Sequence, residues 1–347
     1  MGPNHSTLIS DVRSRDVRAL ARAISVVENR SSGWIELLKE LFPHSGHAVT
    51  IGLTGSPGAG KSTLVDQLAK LYRRTEKSPV ETEKAPLLAK DARNGAPNSG
   101  VSGGADDDHY TVGIIAVDPT SPYTGGAILG DRIRMQDHFS DPGIYIRSMA
   151  TRGSLGGLAR ATADVSLVLD ASGRDIIMIE TVGVGQDEVD IVRVADITVV
   201  ILVPGMGDDV QTIKAGIMEI ADIFVINKSD HDGAERVEKE VRALQSLATR
   251  DDGWIPPIVK TVATSGAGVP ELAEAIRKYQ DYLTNKDLLR RRRAENWETR
   301  LIEMLRDTLL EKARTTISEG ELSRLAAEIA EHKRDPYSVV EEIVGKL

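Results

Sequence analysis

Short runs of Ile, Val and Leu recur along the middle of the chain. They are AVTIGL (48–53), VGIIAV (112–117), IYIRS (144–148), DIIMIET (175–181), ITVVILV (197–203), DIFVIN (222–227) and PIVKTVA (257–263). Runs this short and this continuously apolar mark strands buried on both faces, because a half-exposed strand would alternate. Most lie between amphipathic stretches, which predicts helical crossovers and an α/β fold with a doubly wound, mainly parallel sheet. In such a sheet, binding and catalytic groups sit beyond the carboxyl ends of the strands.

The pattern changes at both ends. Val17, Leu20, Ala21 and Ile24, then Ile35, Leu37, Leu38 and Leu41, recur at helical spacing, with Ser31-Ser32-Gly33 as a break. Residues 1–46 are therefore expected to be a helical extension, ahead of a main domain over 47–284. From Leu272 onward the pattern is helical only. One helix is read from Leu272, Ala275, Ile276 and Tyr279, and a long charged one from Trp297, Leu301, Met304, Leu305, Leu309 and Leu310. A last one carries Leu322, Leu325, Ile329, Val339, Val340 and Ile343, interrupted near Pro336. Helices that follow a completed sheet must bury their apolar stripe on the core or on another chain, so 285–347 is expected to be a helical appendage. Between about 75 and 111, NGAPNSGVSGGADDD is too poor in apolar side chains to offset its ordering entropy, and a mobile surface insertion is expected.

Composition narrows the function classes. At 347 residues the chain can form one main domain with appendages. A formal net charge of -9 argues against broad nucleic-acid or anionic-membrane binding, and Arg290-Arg291-Arg292-Arg293 reads as a solvated helix face. With no cysteine, disulfides, thiolate metal sites and cysteine nucleophiles are excluded. No apolar run is long enough to span a bilayer, and the first thirty residues lack the apolar core of a secretory signal. The expected location is cytoplasmic, or the mitochondrial matrix in a eukaryote.

One residue after AVTIGL comes GSPGAGKST, in which Gly55, Gly60, Lys61 and Ser62 satisfy Gly-x4-Gly-Lys-Ser. Glycines allow a backbone that aims N–H groups inward at a phosphate, and the following helix adds the positive end of its dipole. The expected nucleotide cradle is Gly55, Ser56, Pro57, Gly58, Ala59, Gly60, Lys61, Ser62 and Thr63. Within it, Lys61 supplies charge to the β- and γ-phosphates and the Ser62 hydroxyl is a ligand for Mg²⁺. Asn227-Lys228-Ser229-Asp230 ends DIFVIN, where a base would lie. A carboxylate at Asp230 accepts two hydrogen bonds from guanine, whereas adenine would leave it buried and unpaired at a cost of about 1–3 kcal/mol. Asn227, Lys228 and Asp230 are thus base-binding candidates, with Ala263, Thr264 and Ser265 supporting the base from the other side.

Glu180 closes another strand and is followed by Thr181-Val182-Gly183, the acid-x-x-Gly spacing of a γ-phosphate sensor. The carboxylate can hold a Mg²⁺-bound water and Gly183 can offer its N–H to the γ-phosphate. Asp118, at a strand end, and Asp131 are further metal-side candidates, Asp131 being equally suited to capping a helix. Lys61, Asp118, Asp131, Glu180 and Gly183 form the expected catalytic set. Val184 stands where many small GTPases carry a water-orienting Gln, so unaided hydrolysis is expected to be slow.

Together, GSPGAGKST, VDPTSPYTGGAILGDRIRM, MATRGSLGGLA, IIMIETVGVGQDEVDI and VPGMGDDVQTIKAGIMEIADIFVINKSD resemble the methylmalonyl-CoA mutase-associated GTPases, the MeaB/ArgK/MMAA family of P-loop GTPases. The resemblance covers nearly the whole chain apart from about 75–111, a stretch the family usually lacks. It implies a homodimer joined through the C-terminal helices, binding GTP and GDP with Mg²⁺. It also implies a chaperone of adenosylcobalamin-dependent methylmalonyl-CoA mutase, gating cofactor delivery by an adenosyltransferase and protecting the mutase. The mobile elements it implies map to 118–134, 180–190 and 205–216, the last with Asp208, Asp209, Gln211 and Lys214 as a relay to the mutase. Two alternatives stand beside it. A metallocentre-maturation GTPase would call for Cys or His clusters, and this chain has no Cys and seven scattered His. An ATP-dependent kinase of a transport protein would call for adenine selectivity, which Asp230 opposes.

Overall fold

The computed structural model describes residues 5–77, 108–118, 138, 140–150, 157–183, 190–205, 219–247, 250 and 252–346. Among these residues seven strands form one sheet: β1 Val49–Gly55, β2 Val112–Asp118, β3 Ile144–Ala150, β4 Ile176–Glu180, β5 Ile197–Leu202, β6 Ile223–Asn227 and β7 Ile258–Thr261. Their order is β3-β2-β4-β1-β5-β6-β7, and every neighbouring pair is parallel. Each apolar run of the sequence is a strand. Strands β2, β3 and β4 lie on one side of β1 and β5, β6 and β7 on the other, so the crevice at the switch of direction opens beside the end of β1.

Both faces are covered, as the continuous runs require. Successive strand residues point to opposite faces. On one face Ile114 and Met178 lie under α4 (Lys61–Arg74), in one apolar cluster with its Leu64 and Leu68, and α7 (Val269–Asn285) extends that cluster over β5, β6 and β7 with Leu272 and Ile276. Their neighbours Ile115, Ile177 and Ile179 meet Val165, Val168 and Leu169 of α5 (Gly157–Ala171) and the N-terminal helices. Helix α6 (Ala234–Gln245) sets Val237 and Val241 on Phe224 and Ile226.

The N-terminal helices are α1 (His5–Arg13), α2 (Val17–Glu28) and α3 (Trp34–Leu41). The sequence pattern anticipated α2 and α3. It did not show α1, a nine-residue helix too short to stand alone, whose Leu8, Ile9 and Val12 are buried by packing. Arg147 of β3 pairs with Glu28 of α2, tying these helices to the sheet.

Three strands begin with one device. Asp175, Asp196 and Asp222 directly precede Ile176, Ile197 and Ile223. Each donates its N–H to the carbonyl of a threonine on the adjacent chain segment: Thr111 at 3.0 Å, Thr50 at 2.8 Å and Thr198 at 2.9 Å. The same threonines donate their N–H groups back to the carboxylates at 2.7, 3.0 and 2.8 Å. The reciprocal pair satisfies polar groups where the ladder starts and fixes the register of neighbouring strands.

The chain divides into two compact units, Met1–Leu289 and Arg290–Leu347. The first includes the N-terminal helices. The remaining helices are α8 (Leu288–Thr316), α9 (Glu319–Ala330) and α10 (Pro336–Gly345). The interruption at Pro336 is the start of α10, where proline needs no N–H partner and Asp335 accepts from Ser338 N at 2.9 Å. Among the described residues no helix is long and apolar enough to cross a membrane.

Candidate nucleotide-binding site

The phosphate loop joins β1 to α4 at the crevice. Gly60 caps α4 at φ 87°, and a Cβ there would lie 2.4 Å from Asn227 Nδ2, so glycine is required by both conformation and space. Lys61 is buried. Its Nζ donates to Gly55 O at 2.7 Å and Ser56 O at 3.1 Å, with Val182 O at 3.5 Å. Ala59 is buried, Ser56 and Thr63 are half-buried, and Pro57 and Gly58 form an exposed rim.

Ser62 Oγ donates to Glu180 Oε1 at 2.7 Å, and both side chains are buried. A hydroxyl and a carboxylate are hard oxygen donors. Their separation is close to the ~2.9 Å edge of an octahedron of oxygens around Mg²⁺. The pair therefore fits a Mg²⁺ site. Gly183, at φ 87°, presses on the loop: a Cβ would lie 2.3 Å from Gly55 O and 2.5 Å from Lys61 Nζ. Asp118 is buried at the end of β2, next to β4, where Ala116 is in register with Glu180. It thus lies on the Glu180 side of the crevice, two residues further out.

Asn227 is the hub of the base side. Its Nδ2 donates to Ala59 O at 2.8 Å, while its Oδ1 accepts from Thr261 Oγ1 at 3.0 Å and Ala263 N at 3.1 Å. One buried amide thus joins the phosphate loop, the end of β6 and the loop after β7. Lys228, at φ 54°, donates from Nζ to Gly58 O at 3.0 Å. Asp230, Thr264 and Ser265 are exposed, whereas Ala263 is buried. This amends the expectation for Asp230: only the base itself would cover that carboxylate, so the penalty for leaving it unpaired falls at the low end of the range.

Behind the loop, Asp66 stands one turn after Ser62. Its Oδ1 is 2.7 Å from His138 Nε2 and its Oδ2 is 3.0 Å from Lys70 Nζ. Burial opposes the Asp66 charge, but the hydrogen bonds from His138 and Lys70 outweigh it and hold the carboxyl below its ordinary value. The sequence reading passed over this pair, and over the part of Asn227 that links the loops. Position 66 gave a signal of sorts, an acidic residue on the apolar side of α4. Asp131, Asp208, Asp209, Gln211 and Lys214 lie outside the described residues, as does most of 75–111.

The family model described as "Methylmalonyl Co-A mutase-associated GTPase MeaB" matches residues 20–105 and 105–318. A Pyrococcus abyssi protein described as a GTPase is 45% identical over 345 residues, 97% of this chain and 96% of its own. GTPase ArgK of Escherichia coli is 33% identical over 81% of this chain and 78% of its own. The mouse protein named methylmalonic aciduria type A homolog, mitochondrial, is 33% identical over 85% of this chain and 68% of its own. A crystal structure titled LAO/AO transport system kinase superposes with TM-score 0.65 at 22% identity, covering 98% of this chain and 96% of that one, a likeness of fold.

Proposed function

The chain belongs to the methylmalonyl Co-A mutase-associated GTPase family, and from that premise we propose that it binds GTP with Mg²⁺, hydrolyses it slowly, and uses the bound nucleotide to control an adenosylcobalamin-dependent methylmalonyl-CoA mutase. The observation that carries this reading is the pairing of Ser62 with Glu180 beside the close approach of Gly183 to Lys61, with Asn227 joining the phosphate loop to the loop after β6.

Each group has a part. Lys61 would exchange its carbonyl partners for β- and γ-phosphate oxygens. Ser62 and Glu180 would hold Mg²⁺, whose charge offsets that on the phosphates. The Gly183 amide would meet the γ-phosphate, and Asp230 would accept the two N–H groups of guanine. Val184, which follows Gly183, has no hydrogen-bonding side chain, which supports slow hydrolysis. Asp118 would complete the metal side, together with Asp131 if the loop between them folds over the phosphates. Ordering of loops by the γ-phosphate, with release after hydrolysis, is how such a site biases a partner surface. The relay role of Asp208, Asp209, Gln211 and Lys214 and the delivery of cofactor by an adenosyltransferase rest on the family resemblance.

A homodimer is also part of the proposal. It is supported by the apolar face of α8, where Leu301, Met304, Leu305 and Leu309 are exposed within the single chain. The deciding experiment has two arms. Calorimetry is expected to give GTP at least about tenfold tighter binding than ATP, and purified methylmalonyl-CoA mutase is expected to change the rate of phosphate release. Equal affinity for ATP would refute the guanine reading. An unchanged rate and no complex with the mutase would refute the chaperone reading.

A further inference from the structure

Two buried hydroxyls stand behind the site with no part in the reading above. Thr54, fully buried, is the residue of β1 before Gly55, and Thr181, 4% exposed, follows Glu180. Thr181 Oγ1 donates to Thr54 Oγ1 at 3.0 Å, and Thr181 N donates to Leu53 O at 3.1 Å. Together these bonds tie the first residue beyond β4 to the strand that leads into the phosphate loop. On one side the next residue is Gly55, where the loop begins. On the other, two residues on, is Gly183, so close to the loop that a Cβ would strike Gly55 O.

Packing alone does not call for threonine at either position. Valine has nearly the same shape and carries no hydroxyl that must be partnered. The hydroxyl bond joins the two strand ends side chain to side chain, beside the backbone bond from Thr181 and the contacts of Lys61 Nζ with Gly55 O and Val182 O. It opposes any swing of the Glu180–Gly183 turn away from the loop.

We propose that Thr54 and Thr181 are positioning residues: their hydroxyl bond holds the Gly183 amide at a fixed depth over the phosphate loop and so sets the preference for a nucleoside triphosphate over a diphosphate. The inference rests on the guanine-nucleotide reading given above. A diphosphate has no γ-phosphate to meet Gly183, so its binding is indifferent to the tether. A triphosphate feels the full displacement of the amide.

The test is calorimetric titration of GDP and of a non-hydrolysable GTP analogue, both with Mg²⁺, on the full chain and on T181V, T54V/T181V and T181S, with melting temperatures in parallel. T181V is expected to lower the analogue-to-GDP affinity ratio about tenfold, the scale of one lost bond in a buried site. The double variant leaves no orphaned hydroxyl. It is expected to regain melting temperature while its ratio stays low, and it provides the same comparison if T181V alone does not fold. T181S keeps the hydroxyl and is expected to keep the ratio. A wild-type ratio in T181V and the double variant overturns the inference, as does a T181S ratio as low as that of T181V. Wild-type protein that binds neither nucleotide removes the guanine reading itself, and this inference with it.

Discussion

Asn227 shows how one side chain can hold a site together without touching chemistry. All of its hydrogen bonds to Ala59, Thr261 and Ala263 are buried. Replacing it by alanine orphans the Ala263 N–H and the Ala59 carbonyl, each at about 1–3 kcal/mol. N227A is therefore expected to melt several degrees lower and to weaken GTP and GDP equally, as read by calorimetry, because the loops lose their relative placement. Asp230 works the other way. It is exposed and makes no contribution to the core, so D230A is expected to melt as the wild type does while its GTP affinity falls toward that for ATP, by about tenfold. The Asn-Lys-x-Asp string pointed to both residues, but only the fold shows that Asn227 is enclosed and Asp230 exposed. A string records which side chains are present. It does not record which of them are enclosed.

At the level of strands and helices, the carboxylates that start β4, β5 and β6 make a quantitative claim. Asp196 is buried and accepts Thr50 N. D196A is expected to cost about 1–3 kcal/mol in urea unfolding, with D196N recovering part of it because the amide oxygen can still accept the Thr50 N–H. Helix α4 carries the Asp66 contact to His138. Because the folded carboxyl titrates below its ordinary value, its contribution is fully present above the unfolded value of about 3.9 and is lost as pH falls through the lower folded value. The stability gap between wild type and D66N is accordingly expected to be constant from pH 7 to about 5 and to close below about pH 4, as followed by denaturant titration at each pH. Neither feature was legible beforehand. Asp before an apolar run reads equally as a loop residue, and His138 lies 72 positions from Asp66 as Thr50 lies 146 from Asp196.

For the whole molecule, the C-terminal unit has little interior of its own. Among its described apolar residues only Ile317, Leu325 and Val339 are buried, and α8 buries none along its 29 residues. An apolar stripe left in water on so long a helix marks a contact surface. The double substitution L305E/L309E is expected to convert a dimer to a monomer in sedimentation velocity, with nucleotide affinity unchanged. A wild-type chain that sediments as a monomer would remove the dimer from the proposal. The local pattern was sufficient for the strands, the helices α2 and α3, the phosphate loop and the family, because continuous apolar runs, 3.6-residue periodicity and a glycine-spaced loop are each written within a few neighbouring positions. The strand order, the docking of α1, the approach of Ser62 to Glu180, the Asn227 hub and the hydroxyl tether of Thr54 and Thr181 came from folding. Each joins residues with no adjacent signature, held in contact because a shared apolar core brings distant strand ends within hydrogen-bond reach and excludes the water that would otherwise satisfy them.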